Sequence, residues 1–219
     1  MLALTLLVLI FIQCNFLISE AALGFDTYPS VSTAKFNCLK NAGHSFFIAR
    51  IYRSLGQVDD IGIQNILTAR AAGFSDVDGY IFPCFSTQCY NISATQQVNA
   101  ALNGLRSKNA TVGRIWLDIE IFAWPKNQTT NQAWILEMGN AVINAGYPLG
   151  IYTNIQHWKS IVGLDWAGVS SYPLWWPKYN DVQDLTTGWV DFGGWKAPTI
   201  HQLTGTSNQC GIGFDKNFK

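Results

Sequence analysis

The sequence is short of charge. Only 13% of its 219 residues are Asp, Glu, Lys or Arg, and the two signs cancel to a formal net charge of zero. A nucleic-acid binder carries a basic excess, so no nucleic-acid partner is expected. Histidine is scarce too. His44, His157 and His201 have no ligand spacing, and no two cysteines are set as Cys-x-x-Cys, so neither a metal nor another cofactor is expected. No glycine-rich phosphate loop follows the first predicted strand, which argues against a nucleotide-binding doubly wound sheet. Beyond the N-terminus there is no second long apolar run, so nothing else is expected to span a membrane.

What is present begins with that N-terminal run, "MLALTLLVLIFIQCNFLISEAALG". An apolar stretch ending in small residues reads as a secretory signal, with Ser19 and Ala21 fitting the two small positions before a cut after Ala21. Its first residues lack Lys and Arg, and an uncleaved anchor is the alternative. The expected organisation is a signal peptide at 1–21 and a single catalytic barrel domain at 22–219, acting as a monomer. Cleavage leaves 14 basic against 13 acidic residues, a net charge of +1. The expected location is extracellular, or lysosomal or phagosomal.

Secretion makes the cysteines informative. Cys14 leaves with the signal, and Cys38, Cys84, Cys89 and Cys210 remain, which allows three pairings. Cys84 and Cys89 enclose the short loop "FSTQ" and suit a local bridge, which leaves Cys38 for Cys210. Buried free thiols are the alternative. Three sequons, at Asn91, Asn109 and Asn127, suggest a glycoprotein.

Along the chain, apolar runs alternate with helical spacing. Strands are predicted at "LGFDTYP", "SFFIARIY", "DVDGYIFP", "GRIWLDIEIFAW" and "YPLGIYTN", each followed by a helix. After Gly163 the rhythm changes, and "YPLWWPKY", "APTIHQL" and "GIGFDKNF" read as three strands without helices between them. Five βα units predict a parallel sheet with crossover helices. Eight strands can close a barrel filled by side chains. The expected fold is therefore α/β, an irregular TIM-like barrel of five βα units followed by three strands.

The stretch Gly113–Trp124 carries two carboxylates two residues apart, Asp118 and Glu120. Strand periodicity sends both to one face and Leu117, Ile119 and Ile121 to the other. Two acids at the end of a buried strand are costly, because burial and mutual repulsion both disfavour their charge. In barrels of this type, working groups sit where strands end at the C-terminal face. That rule adds Asp26, ending the first strand, and Asp215, ending the last. Asp76 and Asp78 fall at the start of the third strand and read as structural. Two carboxylates in different environments can divide the labour of glycoside cleavage. Glu120, further out, is the expected proton donor. Asp118 is expected to stay charged beside it and raise its pKa. Asp26 or Asp215 would stabilise positive charge on the sugar.

All nine tryptophans lie at or after Trp116, and aromatic faces are a common platform for sugar rings. Trp175 and Trp176 must point to opposite faces of their strand, and Trp176, being later, is the one expected at the mouth. Tyr152 and Tyr80 come late in their own strands.

Taken in order, "GFDTYP", "WLDIE", "GIYTN", "PLWWPKY", the strand holding Gln202 and the terminal "GFDKN" resemble lysozymes of glycoside hydrolase family 25, over residues 23–219. The resemblance is greatest to secreted members from nematodes and amoebae. It implies an irregular barrel and cleavage of the β-1,4 bond from N-acetylmuramic acid to N-acetylglucosamine in bacterial peptidoglycan, the expected partner. It implies Glu120 as general acid and Asp118 as support for the substrate's acetamido group, with Asp26 and Asp215 on the family's other acidic positions. Tyr152, Trp176 and Tyr179 would fall in the substrate cleft. The chain departs from the family at His201-Gln202-Leu203, where many members read Trp-Gln-Tyr, and at Tyr80, where an aromatic followed by His or Tyr is usual. A chitin-type hexosaminidase and a non-catalytic wall-binding lectin are the alternative functions. The near-neutral charge suggests a working pH below 7, where added protons favour anionic walls.

Overall fold

A computed structural model describes residues 21–219. The predicted signal peptide lies outside the described residues except for Ala21. Strands β1 (Leu23–Thr27), β2 (His44–Arg53), β4 (Asp76–Ile81), β5 (Ile115–Asp118), β6 (Leu149–Tyr152), β7 (Leu174–Pro177), β8 (Ile200–Gln209) and β9 (Ile212–Phe218) close into a barrel, since β1 pairs with both β2 and β9. Helices α1 (Thr33–Asn41), α2 (Asp60–Ala71), α3 (Ala94–Ser107), α4 (Gln128–Asn144) and α5 (Ile155–Ile161) follow the first five barrel strands. This is the expected arrangement of five βα units and three closing strands. A two-residue strand β3 (Gln57–Val58) folds back on the end of β2, an addition that the sequence pattern did not signal. No helix among the described residues is long and apolar enough to cross a membrane.

The helices start where local chemistry directs. Ser32, Asp59, Ser93, Asn127 and Asn154 each accept a backbone N–H at an N-terminus, and Ser93 with Gln96 completes a capping box. Apolar residues sort into two layers. Phe46, Ile48, Trp116, Tyr152, Trp175 and Ile200 fill the barrel interior. The alternate residues, Phe47, Ala49 and Ile51 among them, face the helices. At the closed end, Asp78 accepts from the Trp116 indole at 2.9 Å and Lys219 pairs with Asp76, so both acids hold the barrel shut.

Helix α2 lies directly on the backbone of β2. A Cβ at Gly62 would land on the Arg50 carbonyl oxygen. Gly62→Ala is therefore expected to lower stability by about 3 kcal/mol, at the upper end of overpacking costs. Chemical denaturation checks this, and a midpoint equal to wild type would refute the close packing.

Strands β8 and β9 form an antiparallel hairpin that turns at Cys210 and Gly211, both at positive φ (55° and 71°). The Cys38–Cys210 disulfide, with a Cα–Cα distance of 5.9 Å, ties this turn to α1, and Cys84–Cys89 closes its local loop. Because β9 runs against the other seven barrel strands, Asp215 does not end its strand as expected. It is the fourth residue of β9, and it reaches the mouth because β9 begins at that side. There it faces Asp26 in the β1–β9 register.

Candidate active site

Strand β5 stops at Asp118, where its pairing with β6 ends. Ile119 is still fully buried and Glu120 half-buried, but the chain then bends away. Ile121 is 54% exposed, and Phe122 follows it to the surface. The expectation that Ile121 packs inward with Leu117 and Ile119 is thus corrected. Beyond its last paired residue the strand has no neighbour to keep its alternation.

Asp26, Asp118, Glu120 and Asp215 line one cavity of about 210 Å³, with Tyr80, Tyr152, Tyr179, Gln202, Arg50, Phe82 and Trp175 in its walls. The sequence-derived acids and tyrosines and Gln202 therefore meet at one place. Trp176 does not join them. It points outward, with its ring centroid 4.7 Å from that of His201, and reaches only a neighbouring cavity. Trp175 holds the inward position because it shares a register row with Tyr152, itself level with Asp118. His201 and Leu203 share the outward face of β8, so the family departure there leaves the acid cavity unchanged and Gln202 within it.

A hydrogen-bond relay orients Asp26. Tyr152 and Tyr179 donate their hydroxyls to Gln202 Oε1 at 2.8 and 3.1 Å. This fixes the amide, so that Gln202 Nε2 donates to Asp26 Oδ1 at 2.8 Å and approaches Asp215 Oδ2 at 3.4 Å. Asn217 Nδ2 also donates to Asp26 Oδ1, at 2.8 Å, while Asn217 Oδ1 accepts from the Trp175 indole at 2.7 Å. Asn217, Trp175, Arg50 and Phe82 were not picked out from the sequence. Asn217 could have been, because it follows Asp215 by two residues on the same strand face.

Electrostatics follow from this crowding. Burial, and then the charge of Asp215, push Asp26 up to about 8. Burial lifts Asp215 to about 6. Glu120 is raised by burial first and Asp215 second. Asp118 is raised well above the ordinary carboxylate range by burial, then by Glu120 and Asp26, with Arg50 opposing. Its Oδ1 is buried and has no hydrogen-bond partner. The expectation of a permanently charged Asp118 is therefore corrected for the free site. Both carboxyls hold protons more tightly than usual, their repulsion is mutual, and Asp215 adds to it at Glu120. Arg50 is anchored by its Nε to Asp59 at 2.6 Å, so it does not form a plain ion pair with the acids.

The acid cavity opens on both sides. One neighbour, about 240 Å³, shares Asp26, Tyr80 and Asp215 with it and is walled by the base of the β8–β9 hairpin. The other, about 440 Å³, shares Glu120, Tyr152 and Tyr179. The three together make a groove across the barrel mouth with the acids at its centre. Among the described residues no group of three or more His, Cys, Asp or Glu side chains is arranged to hold a metal ion.

Comparison with known proteins agrees with this geometry. Residues 18–203 match the family model described as lysozyme-like protein 1. Lysozyme-like protein 5 of Caenorhabditis elegans is 46% identical over 202 residues, covering 92% of this chain and 93% of that protein. Probable GH family 25 lysozyme 2 of Dictyostelium discoideum is 36% identical over 199 residues, covering 91% of each. The chain belongs to glycoside hydrolase family 25. It is thus a glycoside hydrolase of the lysozyme type, as its sequence motifs implied. The fold agrees as well: the family 25 lysozyme from Aspergillus fumigatus superposes with a TM-score of 0.68 at 21% identity, over 90% of this chain and 93% of that one.

Proposed function

We propose that the protein is a secreted N-acetylmuramidase that cuts the β-1,4 bond between N-acetylmuramic acid and N-acetylglucosamine in bacterial peptidoglycan, in digestion or innate defence. The observation that carries this reading is the row of three adjoining cavities with Glu120 and the other acids at its centre. A glycan chain can lie through such a groove and be cut internally. Of the Asp118/Glu120 pair, Glu120 is the one that is only half-buried, so it can reach the glycosidic oxygen, and its raised pKa favours the protonated form. Asp118 lies deeper and has a free Oδ1. It accepts the N–H of the substrate's acetamido group as that group's oxygen bonds to the anomeric carbon. The C–O bond to the leaving sugar breaks, and that sugar takes the Glu120 proton. Water then opens the cyclic intermediate, with Glu120 as base. Asp215, which titrates lower than Asp26, holds negative charge near the sugar, while Gln202 and Asn217 fix Asp26 beside it.

Two disulfides suit an oxidising compartment. Asn91, Asn109 and Asn127 are all exposed, which suits glycosylation in the secretory pathway.

Mass analysis of products from purified peptidoglycan tests the activity. Fragments ending in reducing N-acetylmuramic acid are expected, with chitin oligomers left intact. Cleavage of the chitin oligomers would instead show a hexosaminidase, and wall binding without new reducing ends would show a lectin.

A further inference from the structure

The segment that carries Glu120 is tethered on three sides by β6 and α5. Ile119 N–H donates to the Tyr152 carbonyl at 2.8 Å. The Ile119 carbonyl accepts from Thr153 Oγ1 at 2.7 Å. On the far side of Glu120, Ile121 N–H donates to His157 Nδ1 at 3.1 Å. The first two tethers do not titrate near neutrality. The third does, because an imidazole nitrogen accepts only when it carries no proton. Nothing else fixes Ile121 well, since its own side chain is largely exposed. Phe122 beyond it is largely exposed and meets Phe82 edge-on, with ring centroids 5.5 Å apart.

We propose that His157 is a positioning residue for Glu120: its neutral ring, protonated at Nε2, holds the chain just past the proton donor, and protonation at Nδ1 releases that chain. This rests on the reading of Glu120 as the acid. His157 is itself fixed, because its backbone N–H donates to the capping Asn154 Oδ1 at 3.0 Å. The groups that face it across the shared cavity are Glu120 after β5, Tyr152 from β6, and Lys178 and Tyr179 after β7. Lys159 lies on its own helix. Partial burial keeps the ring neutral to lower pH than a free histidine. Above that pH the tether is intact, and below it the tether breaks.

The test pairs kinetics with spectroscopy. His157→Ala is expected to lower kcat about tenfold above the His157 pKa and to differ little from wild type below it, where the wild-type tether is already broken, while KM moves less than about twofold, because a misplaced acid spoils the reaction more than binding. His157→Asn places an amide oxygen where Nδ1 was, so it should recover most of that loss and remove the part of the wild-type acid limb that follows the His157 titration. In the free wild-type protein, nitrogen-detected imidazole spectra should show the Nε2–H form at neutral pH, and the Ile121 amide shift should follow the His157 titration. A His157→Ala profile equal to wild type, an acid limb unchanged from wild type in His157→Asn, or an Ile121 amide blind to the titration would overturn the proposal. A wild type that cuts no glycan at any pH would instead overturn the role of Glu120, and the spectra would still report the tether.

Discussion

Glu120→Gln is expected to abolish glycan hydrolysis and leave the fold unchanged. The substitution keeps the shape of the side chain and removes only its dissociable proton. Glu120 makes no side-chain hydrogen bond or ion pair among the described residues, so no structural partner is lost. General acid catalysis contributes about 10²–10⁴ in rate, and the leaving sugar alkoxide is too basic to depart without a proton. A drop in kcat of roughly 10³ or more is therefore expected, with KM nearly constant, since the groove walls are untouched. Reducing-end release from peptidoglycan, measured beside a thermal melt, checks both halves. Full activity in the variant would remove Glu120 as the proton donor. Lost activity with a lowered melting temperature would mean that the residue is structural after all.

Such an experiment could be designed from sequence because the decisive features are local. The Asp-x-Glu spacing after an apolar run, the strand-then-helix rhythm and its arrest after Gly163 are all short-range patterns. What the sequence left open was where pairing stops and which way a strand runs. Ile121 keeps the period-two pattern of its strand but leaves the core, because β6 ends its pairing at Asp118. Trp175 and Trp176 are equivalent in composition, and only the register with Tyr152 puts Trp175 inside. The direction of the last strand was in principle readable. Seven residues between the predicted strands at Leu203 and Gly211 are too few for a parallel crossover, which needs a dozen or more, so an antiparallel hairpin was the sterically open choice. That single inversion moves the mouth-facing acid from the end of the strand to its middle. The ordering of proton affinities was not readable at all. It depends on burial at Asp26 and Asp118, and spacing along a strand says nothing of depth.

Depth has its largest consequence in stability, which is expected to rise as pH falls from 8 towards 5. Asp26 titrates at about 8 in the folded protein against 3.8 in the unfolded chain, and Asp215 at about 6. Asp118, Glu120 and Asp78 are shifted in the same direction, each chiefly by burial. Between pH 4 and 8 the folded state therefore binds more protons than the unfolded one. Unfolding free energy then falls as pH rises, and the stabilisation is fully present only below the unfolded carboxylate pKa. His157 works the other way. Its pKa is lowered on folding, so its contribution is present above its unfolded value and lost on acidification. It is one partly exposed group against five carboxyls, and the carboxyls win. With each pKa unit worth 1.36 kcal/mol, the buried Asp26 alone accounts for a difference on the order of several kcal/mol between pH 5 and 8. For a chain of this size that corresponds to roughly 10 °C in melting temperature. Asp26→Asn isolates the effect. Its amide oxygen can still accept from Gln202 and Asn217, while the group that must ionise inside the barrel is gone. The variant should melt higher than wild type at pH 8, nearly match it at pH 5, and lose most of its activity, the usual opposition between a strained site and a stable one. Calorimetry of both proteins across this range decides the matter. A wild-type melting temperature that climbs from pH 6 to 8, or an Asp26→Asn variant with the same slope, would mean that the barrel mouth does not hold its acids protonated.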